Sequence, residues 1–84
     1  MSLPSQPVTL TVQQITALNE KLSSMRHDIN NQLSLITAAV ELIRLKPSTS
    51  ERMMATLAEQ PSKISDSLRK FSDELERNLG IIRR

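Results

Sequence analysis

Cysteine is absent from the 84 residues of the sequence, and only one aromatic residue, Phe71, and one glycine, Gly80, are present. Without cysteine, no disulfide can stabilise the chain, and a core with one aromatic side chain must be mainly aliphatic. A single glycine cannot form the glycine-rich loop that cradles a nucleotide phosphate. One histidine, His27, offers too few ligands for a metal site. We therefore predict no cofactor and no metal in this chain.

Charge and hydropathy narrow the class of protein further. Eleven basic residues stand against nine acidic ones, for a net charge of +2, and the two signs alternate along the chain. A nucleic-acid binder would concentrate basic residues on one face. No apolar run approaches the roughly 20 residues that span a bilayer. We expect a soluble, cytoplasmic protein that binds no nucleic acid and does not insert into a membrane.

The first ten residues are predicted to be a disordered lead-in, because Pro4 and Pro7 stand among small polar residues. A first helix should begin at Thr11, whose hydroxyl can cap it while the Gln14 side chain reaches back. It should extend over about residues 11–46, since Pro47 disfavours helix in the residue before it. Its apolar residues recur mostly at spacings of three and four, which is typical of a helix packed along its length: Ile15, Leu18, Leu22, Met25, Ile29, Leu33, Ile36, Val40 and Ile43.

A second helix is predicted over about residues 49–79. Ser48 and Glu51 have the spacing of a capping box at its start, and Gly80 can cap or fray its end. An interior proline removes one backbone hydrogen bond, so we expect Pro61 to kink this helix. The apolar residues of its seam are Leu57, Pro61, Ile64, Leu68, Phe71, Leu75, Leu79 and Ile82.

The predicted fold class is all-α, with residues 11–84 forming one domain, a long antiparallel helical hairpin. A connection as short as the one at Pro47 forces the second helix to run back beside the first. A first helix of about 35 residues would be roughly 50 Å long, and two helices alone leave much of each seam facing water. Pairing two hairpins covers the seams, so we expect a homodimeric four-helix bundle.

His27 is the candidate functional residue. With Met25 at heptad position d and Ile29 at the following a, His27 occupies position f, farthest from the seam, and should be exposed. Arg26 and Asp28 flank it, and packing does not require a histidine there. The residues three or four positions away are polar and uncharged: Ser23, Ser24, Asn30 and Asn31.

The string from Ser24 to Leu33, Ser-Met-Arg-His-Asp-Ile-Asn-Asn-Gln-Leu, resembles the phosphoacceptor box of sensor histidine kinases. In that box an acid follows the histidine directly, and a polar residue, often asparagine, stands four positions after it. Those kinases carry the box on the first helix of a hairpin that dimerises into a four-helix bundle, the dimerisation and histidine-phosphotransfer domain. The resemblance therefore covers roughly residues 11–80. Many family members have proline after the polar residue, where this chain has Gln32, which implies a different bend of the first helix.

The resemblance implies roles for three residues in two-component signal transduction. His27 would accept a phosphoryl group and pass it to an aspartate of a response-regulator receiver domain. Asp28 would accept a hydrogen bond from the imidazole nitrogen that does not attack. Asn31 would orient a water against the receiver's aspartyl phosphate. The donor would be an ATP-binding kinase domain acting in cis or in trans, because nothing in this chain binds ATP.

A basic pair, Arg69 and Lys70, should lie level with His27 in an antiparallel hairpin and would attract an acidic receiver. Two alternatives stay open. The chain is either part of a histidine kinase or a stand-alone relay similar to the sporulation phosphotransferase, and whether it belongs to an enzyme depends on which. The other alternative is a purely structural helical dimerisation domain, with the same fold and no phosphotransfer chemistry.

Overall fold

A computed structural model describes residues 4–80 of the chain. In this range helix α1 spans Val12–Leu45, a 3-10 turn spans Pro47–Thr49, and helix α2 spans Ser50–Leu79, with no strand. The Cα atoms extend over 57 × 27 × 12 Å. The predicted all-helical hairpin is confirmed, and it is a slab one helix thick, so no third element covers either of its broad faces.

The predicted capping box at the start of α1 is also confirmed. The Gln14 backbone N–H donates to Thr11 Oγ1 at 3.1 Å, and the Thr11 N–H donates to Gln14 Oε1 at 2.8 Å. These two bonds satisfy donors that the first turn of a helix leaves without intrahelical partners. At the other end, Lys46 leaves helical geometry, with φ −142° and ψ 81°, because the following proline disfavours the helical region.

The predicted capping box of Ser48 with Glu51 is wrong. The residue before α2 is Thr49, which has helical backbone geometry and makes no capping hydrogen bond to the helix. Since the 3-10 turn leads directly into α2, the Thr49 hydroxyl points back toward carbonyl groups at the end of α1. It donates to the carbonyl of Lys46 at 2.8 Å and lies 3.3 Å from that of Leu42. The turn is thereby fastened to the last turn of α1 by a buried side chain.

The contact between the two helices follows a strict heptad spacing. The half-buried or buried residues of α1 include a continuous series at alternating steps of four and three: Leu18, Leu22, Met25, Ile29, Gln32, Ile36, Ala39 and Ile43. The matching series in α2 is Met53, Leu57, Gln60, Ile64, Ser67 and Phe71. Such spacing keeps one stripe of each helix turned toward its neighbour.

The predicted seams are corrected at four positions by this spacing. Gln32 and Ala39 take the places predicted for Leu33 and Val40, and Gln60 and Ser67 take those predicted for Pro61 and Leu68. A step of four followed by another four, as from Met25 to Leu33, would turn the stripe away from the neighbouring helix. The heptad step to the preceding residue keeps the stripe in contact, and it leaves the larger apolar residue on the surface.

The displaced apolar residues lie on one face of the hairpin. At 100° per residue, Leu33 and Val40 fall on one side of the α1 stripe, and Pro61 and Leu68 fall on the corresponding side of the α2 stripe. Because both helices are right-handed and antiparallel, the same offset points to the same broad face. We call this the apolar face, and its exposed large hydrophobic residues are Leu33, Val40, Met54 and Leu68.

The interior of α2 includes Pro61, and the helix runs through it without ending. Its last residue is followed by Gly80, with φ +68° and an N–H directed at the carbonyls of Arg77 and Glu76. A left-handed glycine is a common helix cap because it has no Cβ to clash. The predicted seam residue Ile82 lies outside the described residues, as do residues 1–3 of the predicted lead-in. In the described part of the chain, neither helix has the length and apolarity needed to cross a bilayer.

The turn provides a direct test of this fold. Thr49→Val keeps the side-chain shape but removes the hydroxyl that fastens the turn, so we expect the free energy of unfolding to fall by about 1–2 kcal/mol. Thermal melting followed by circular dichroism measures the change. The matched control is Ser48→Ala, which should cost less than about 0.5 kcal/mol. A larger loss of stability in Ser48→Ala than in Thr49→Val would support the Ser48 capping box and contradict the role given to Thr49.

Candidate functional site

His27 lies in the middle of α1 on the side opposite the stripe that contacts α2. Heptad position f predicts an exposed residue, and the imidazole side chain is 84% exposed. It makes no hydrogen bond to another of the described residues. An imidazole in this position can meet a partner protein without any rearrangement of the hairpin.

The carboxylate of Asp28 is the closest charged group to that imidazole. Its Oδ1 lies 3.6 Å from His27 Nδ1, which is beyond hydrogen-bond distance. Both side chains are on the surface, with Asp28 56% exposed, so a small side-chain rotation can close the gap. Since Nδ1 faces the carboxylate, Nε2 is the ring nitrogen directed at solvent.

The third residue singled out by the sequence, Asn31, is exposed one turn after His27. Residues four apart on a helix lie on the same side, so the Asn31 amide projects beside the imidazole. A shallow depression begins near it on α1 and is lined by Asn30, Leu33, Ser34, Thr37 and Ala38. Beyond His27 and its charged neighbours Arg26 and Asp28, this side of α1 is thus uncharged.

A second groove, of about 350 Å³, lies between α1 and α2 on the broad face opposite the apolar face. We call it the polar groove. Asp28 and Ser24 line it from α1, and Ser67 and Lys70 line it from α2. Asp28 is therefore part of one wall of the polar groove, whereas His27 does not line it.

Some charged side chains of the polar groove have a charged neighbour nearby, and others form no ion pair with a described residue. Glu74 is paired with Arg77 at 2.9 Å, and Asp28 is nearest His27. Lys21 and Lys70, which also line the groove, form no ion pair with another described residue. Two ammonium groups are therefore available for a ligand or a partner on this face.

The predicted basic pair is separated by the structure. Lys70 lines the polar groove with Asp28, as the expected register implies. Arg69 does not line it, because it lies two residues after the stripe residue Ser67 and projects about 200° away from the helix contact. Its guanidinium is bound to Asp66 at 2.6 Å, one helical turn back. Only the lysine of the pair can act in the groove.

Sequence reasoning missed Lys21, Ser24 and Ser67 as a group. A signal for them exists, since each helix places a lysine and a serine three residues apart, Lys21 with Ser24 and Ser67 with Lys70. Such pairs share a side of their own helix. That the two pairs flank one groove depends on how the helices pack, and spacing in the sequence does not contain that information.

No group of three or more histidine, aspartate or glutamate side chains within residues 4–80 is arranged to hold a metal ion. Comparison with protein-family models, with curated proteins and with solved structures gives no match for this chain. The chemistry of the site must therefore be argued from its own residues.

The exposure of His27 can be measured directly because it is the sole histidine. Diethyl pyrocarbonate should modify it in the folded chain at a rate within about twofold of that in the chain unfolded by guanidinium, since an exposed neutral imidazole is fully accessible in both. The absorbance rise of the modified ring reports the rate. A tenfold slower reaction in the folded chain would contradict the placement of His27 on the outside.

Proposed function

We propose that this chain is the dimerisation and phosphoacceptor module of a two-component signalling protein in the cytoplasm. In this proposal His27 receives a phosphoryl group and passes it to an aspartate of a response-regulator receiver domain. The observation that carries the proposal is the arrangement at the middle of α1: a fully presented imidazole, with a carboxylate 3.6 Å from one ring nitrogen and the other nitrogen open to solvent.

The chemistry suits a neutral imidazole, which is nucleophilic at one nitrogen when the other carries the proton. With the proton on Nδ1, held toward Asp28, Nε2 attacks the terminal phosphorus of a nucleotide bound to a separate kinase domain. The N–P bond forms as the bond to the nucleoside diphosphate breaks. The carboxylate of Asp28 stabilises the positive charge that develops on the ring.

In the second transfer, from His27 to the receiver, the imidazole is the leaving group. A carboxylate oxygen of the receiver attacks phosphorus, the N–P bond breaks, and the electron pair returns to Nε2. The amide of Asn31, on the same side of α1, is placed to orient water for hydrolysis of the aspartyl phosphate. On the neighbouring groove wall, the free ammonium of Lys70 favours an acidic receiver surface.

The module is proposed to work as a homodimeric four-helix bundle. The apolar face supports this, because its leucine, valine and methionine side chains are exposed along a slab 57 Å by 27 Å. A standard interface buries only about 800 Å² on each partner. A second copy that packs on this face leaves His27 and the polar groove uncovered.

A purely structural dimerisation module is the second candidate function, and the same apolar face favours it. The two candidates share the dimer and differ at His27. Under the structural alternative the imidazole is an unused surface side chain, and replacement of His27, Asp28 or Asn31 has no consequence beyond the surface.

Phosphotransfer is tested by mixing the chain with the receiver domains of its own organism, each carrying radiolabelled phosphate on its aspartate. We expect transfer of label to His27 from at least one receiver, with the acid lability and alkali stability of a phosphoramidate bond. His27→Ala should abolish the label. Ser34→Ala, an exposed polar change two turns along α1, should keep it.

Two results would overturn the phosphotransfer proposal. One is label that persists in the His27→Ala chain, and the other is the absence of label from every receiver while the chain remains folded. The second result would leave the structural module as the function.

Dimerisation is tested by sedimentation of the full chain, which should have a mass of about 19 kDa, twice the 9.5 kDa of one copy. Leu33→Glu should shift it toward monomer, because a carboxylate buried in an apolar interface is costly. The matched control is Leu35→Glu. These leucines are 48% and 40% exposed in the hairpin, and only Leu33 is on the apolar face. Equal dissociation by both variants, or a monomeric wild-type chain, would contradict the assignment of this face.

A further inference from the structure

The largest fully buried side chain in residues 4–80 is polar. Gln60 is 1% exposed, and its Nε2 donates to the Thr56 carbonyl of its own helix at 2.8 Å. Its Oε1 is buried with no hydrogen-bond donor. A buried acceptor without a donor loses its bonds to water and gains nothing in exchange, so it destabilises the fold that buries it.

A second amide repeats the pattern on the facing helix. Gln32 of α1 also belongs to the helix-helix contact, and its Oε1 is likewise buried without a donor. The turn of α2 that contains Gln60 continues into Pro61, which removes the N–H that would bond to the Leu57 carbonyl. The contact between the helices therefore contains polar groups at two levels where an apolar residue would stabilise it.

Large apolar residues that could fill the level of Gln32 and the level one heptad after Gln60 are in the sequence, one position further on. Leu33 follows Gln32, and Leu68 follows Ser67, which is one heptad after Gln60. Both leucines are about half exposed on the apolar face. The chain thus buries amide oxygens within the hairpin and leaves leucines exposed on the outside. In a hairpin that folds by itself, the leucines would be more stabilising inside the contact.

We propose that the buried amide oxygens of Gln32 and Gln60 make the hairpin depend on a second copy of the chain for its folding. The inference rests on the dimer of the proposed function and gives a physical reason why the chain dimerises. The unsatisfied amides weaken the contact of α1 with α2 in a single hairpin. Burial of the apolar face against a second copy offsets that loss, so the folded state and the dimer form together, as in obligate dimers that have no stable folded monomer.

Buried polar residues have this effect in other helical assemblies. A single amide at a core position of a coiled coil specifies the oligomeric state at a cost in stability. Here the cost falls on the intramolecular contact, and the compensating contact is intermolecular. The dependence on a second copy ensures that His27 is presented by a folded helix only in the assembled module.

The test compares helix content in chains that cannot dimerise. Leu33→Glu combined with Leu68→Glu places two carboxylates on the apolar face and should give a monomer by sedimentation. At the concentration at which wild type is a folded dimer, we expect this monomer to lose about half or more of its ellipticity at 222 nm, since its folding is no longer coupled to association. Adding Gln60→Leu should restore most of that signal while the chain stays monomeric.

The matched control is Gln13→Leu, an exposed glutamine of α1 changed to the same residue in the same monomeric background. It should restore little, because it removes no buried acceptor. A monomeric double variant that keeps the full helix signal would overturn the inference, and so would equal rescue by the Gln13 and Gln60 changes. A wild-type chain that sediments as a monomer would instead remove the dimer proposal on which the inference rests.

Discussion

The phase of the contact between α1 and α2 is the constraint on which the rest of the structure depends. A heptad step that passes through Gln32 and Ala39 in α1, and through Gln60 and Ser67 in α2, fixes the rotation of each helix about its own axis. Ala39, which takes the place predicted for the larger Val40, is buried at 2% exposure. A small side chain there allows the helices to approach closely, which gains dispersion contacts along both neighbouring turns.

Rotation of the helices decides what each broad face of the slab displays. One broad face carries the exposed residues Leu33, Val40, Met54 and Leu68, and the other carries the polar groove with Lys21 and Lys70. His27 belongs to neither face, since it projects from the edge of the slab opposite the helix contact. An imidazole on that edge stays accessible whichever broad face is covered, which is compatible with the proposal of a module that associates and transfers phosphate at the same time.

Electrostatics contributes little to the stability of this hairpin and more to the properties of its surface. The intrahelical pairs, such as Glu41 with Arg44 and Asp66 with Arg69, are mostly exposed, and pairs of this kind contribute from nothing to about 1 kcal/mol each. Arg69 is bound to Asp66, and Lys70 lines the polar groove. A partner that approaches this groove meets the ammonium groups of Lys21 and Lys70, serine hydroxyls, and the carboxylates of Asp28, Asp73 and Glu74.

The sequence by itself determined the elements, their order and the exposure of His27. Apolar residues at steps of three and four specify helices, Thr11 with Gln14 starts the first one, and Pro47 ends it, because these are local effects of backbone geometry and hydrogen bonding. Heptad position alone places His27 outside. The resemblance of its neighbourhood to a phosphoacceptor box is likewise local, and phosphotransfer stays a prediction that the fold is compatible with.

Only the tertiary structure decided which of two adjacent stripes faces the other helix. In the sequence Leu33 is a better seam residue than Gln32, and Leu68 a better one than Ser67, so hydrophobicity favoured the stripe that is exposed. The choice depends on close packing of two whole helices against each other, and such packing has no signature within either helix alone. The groove shared by Ser24 and Lys70 and the buried amide of Gln60 follow from that choice.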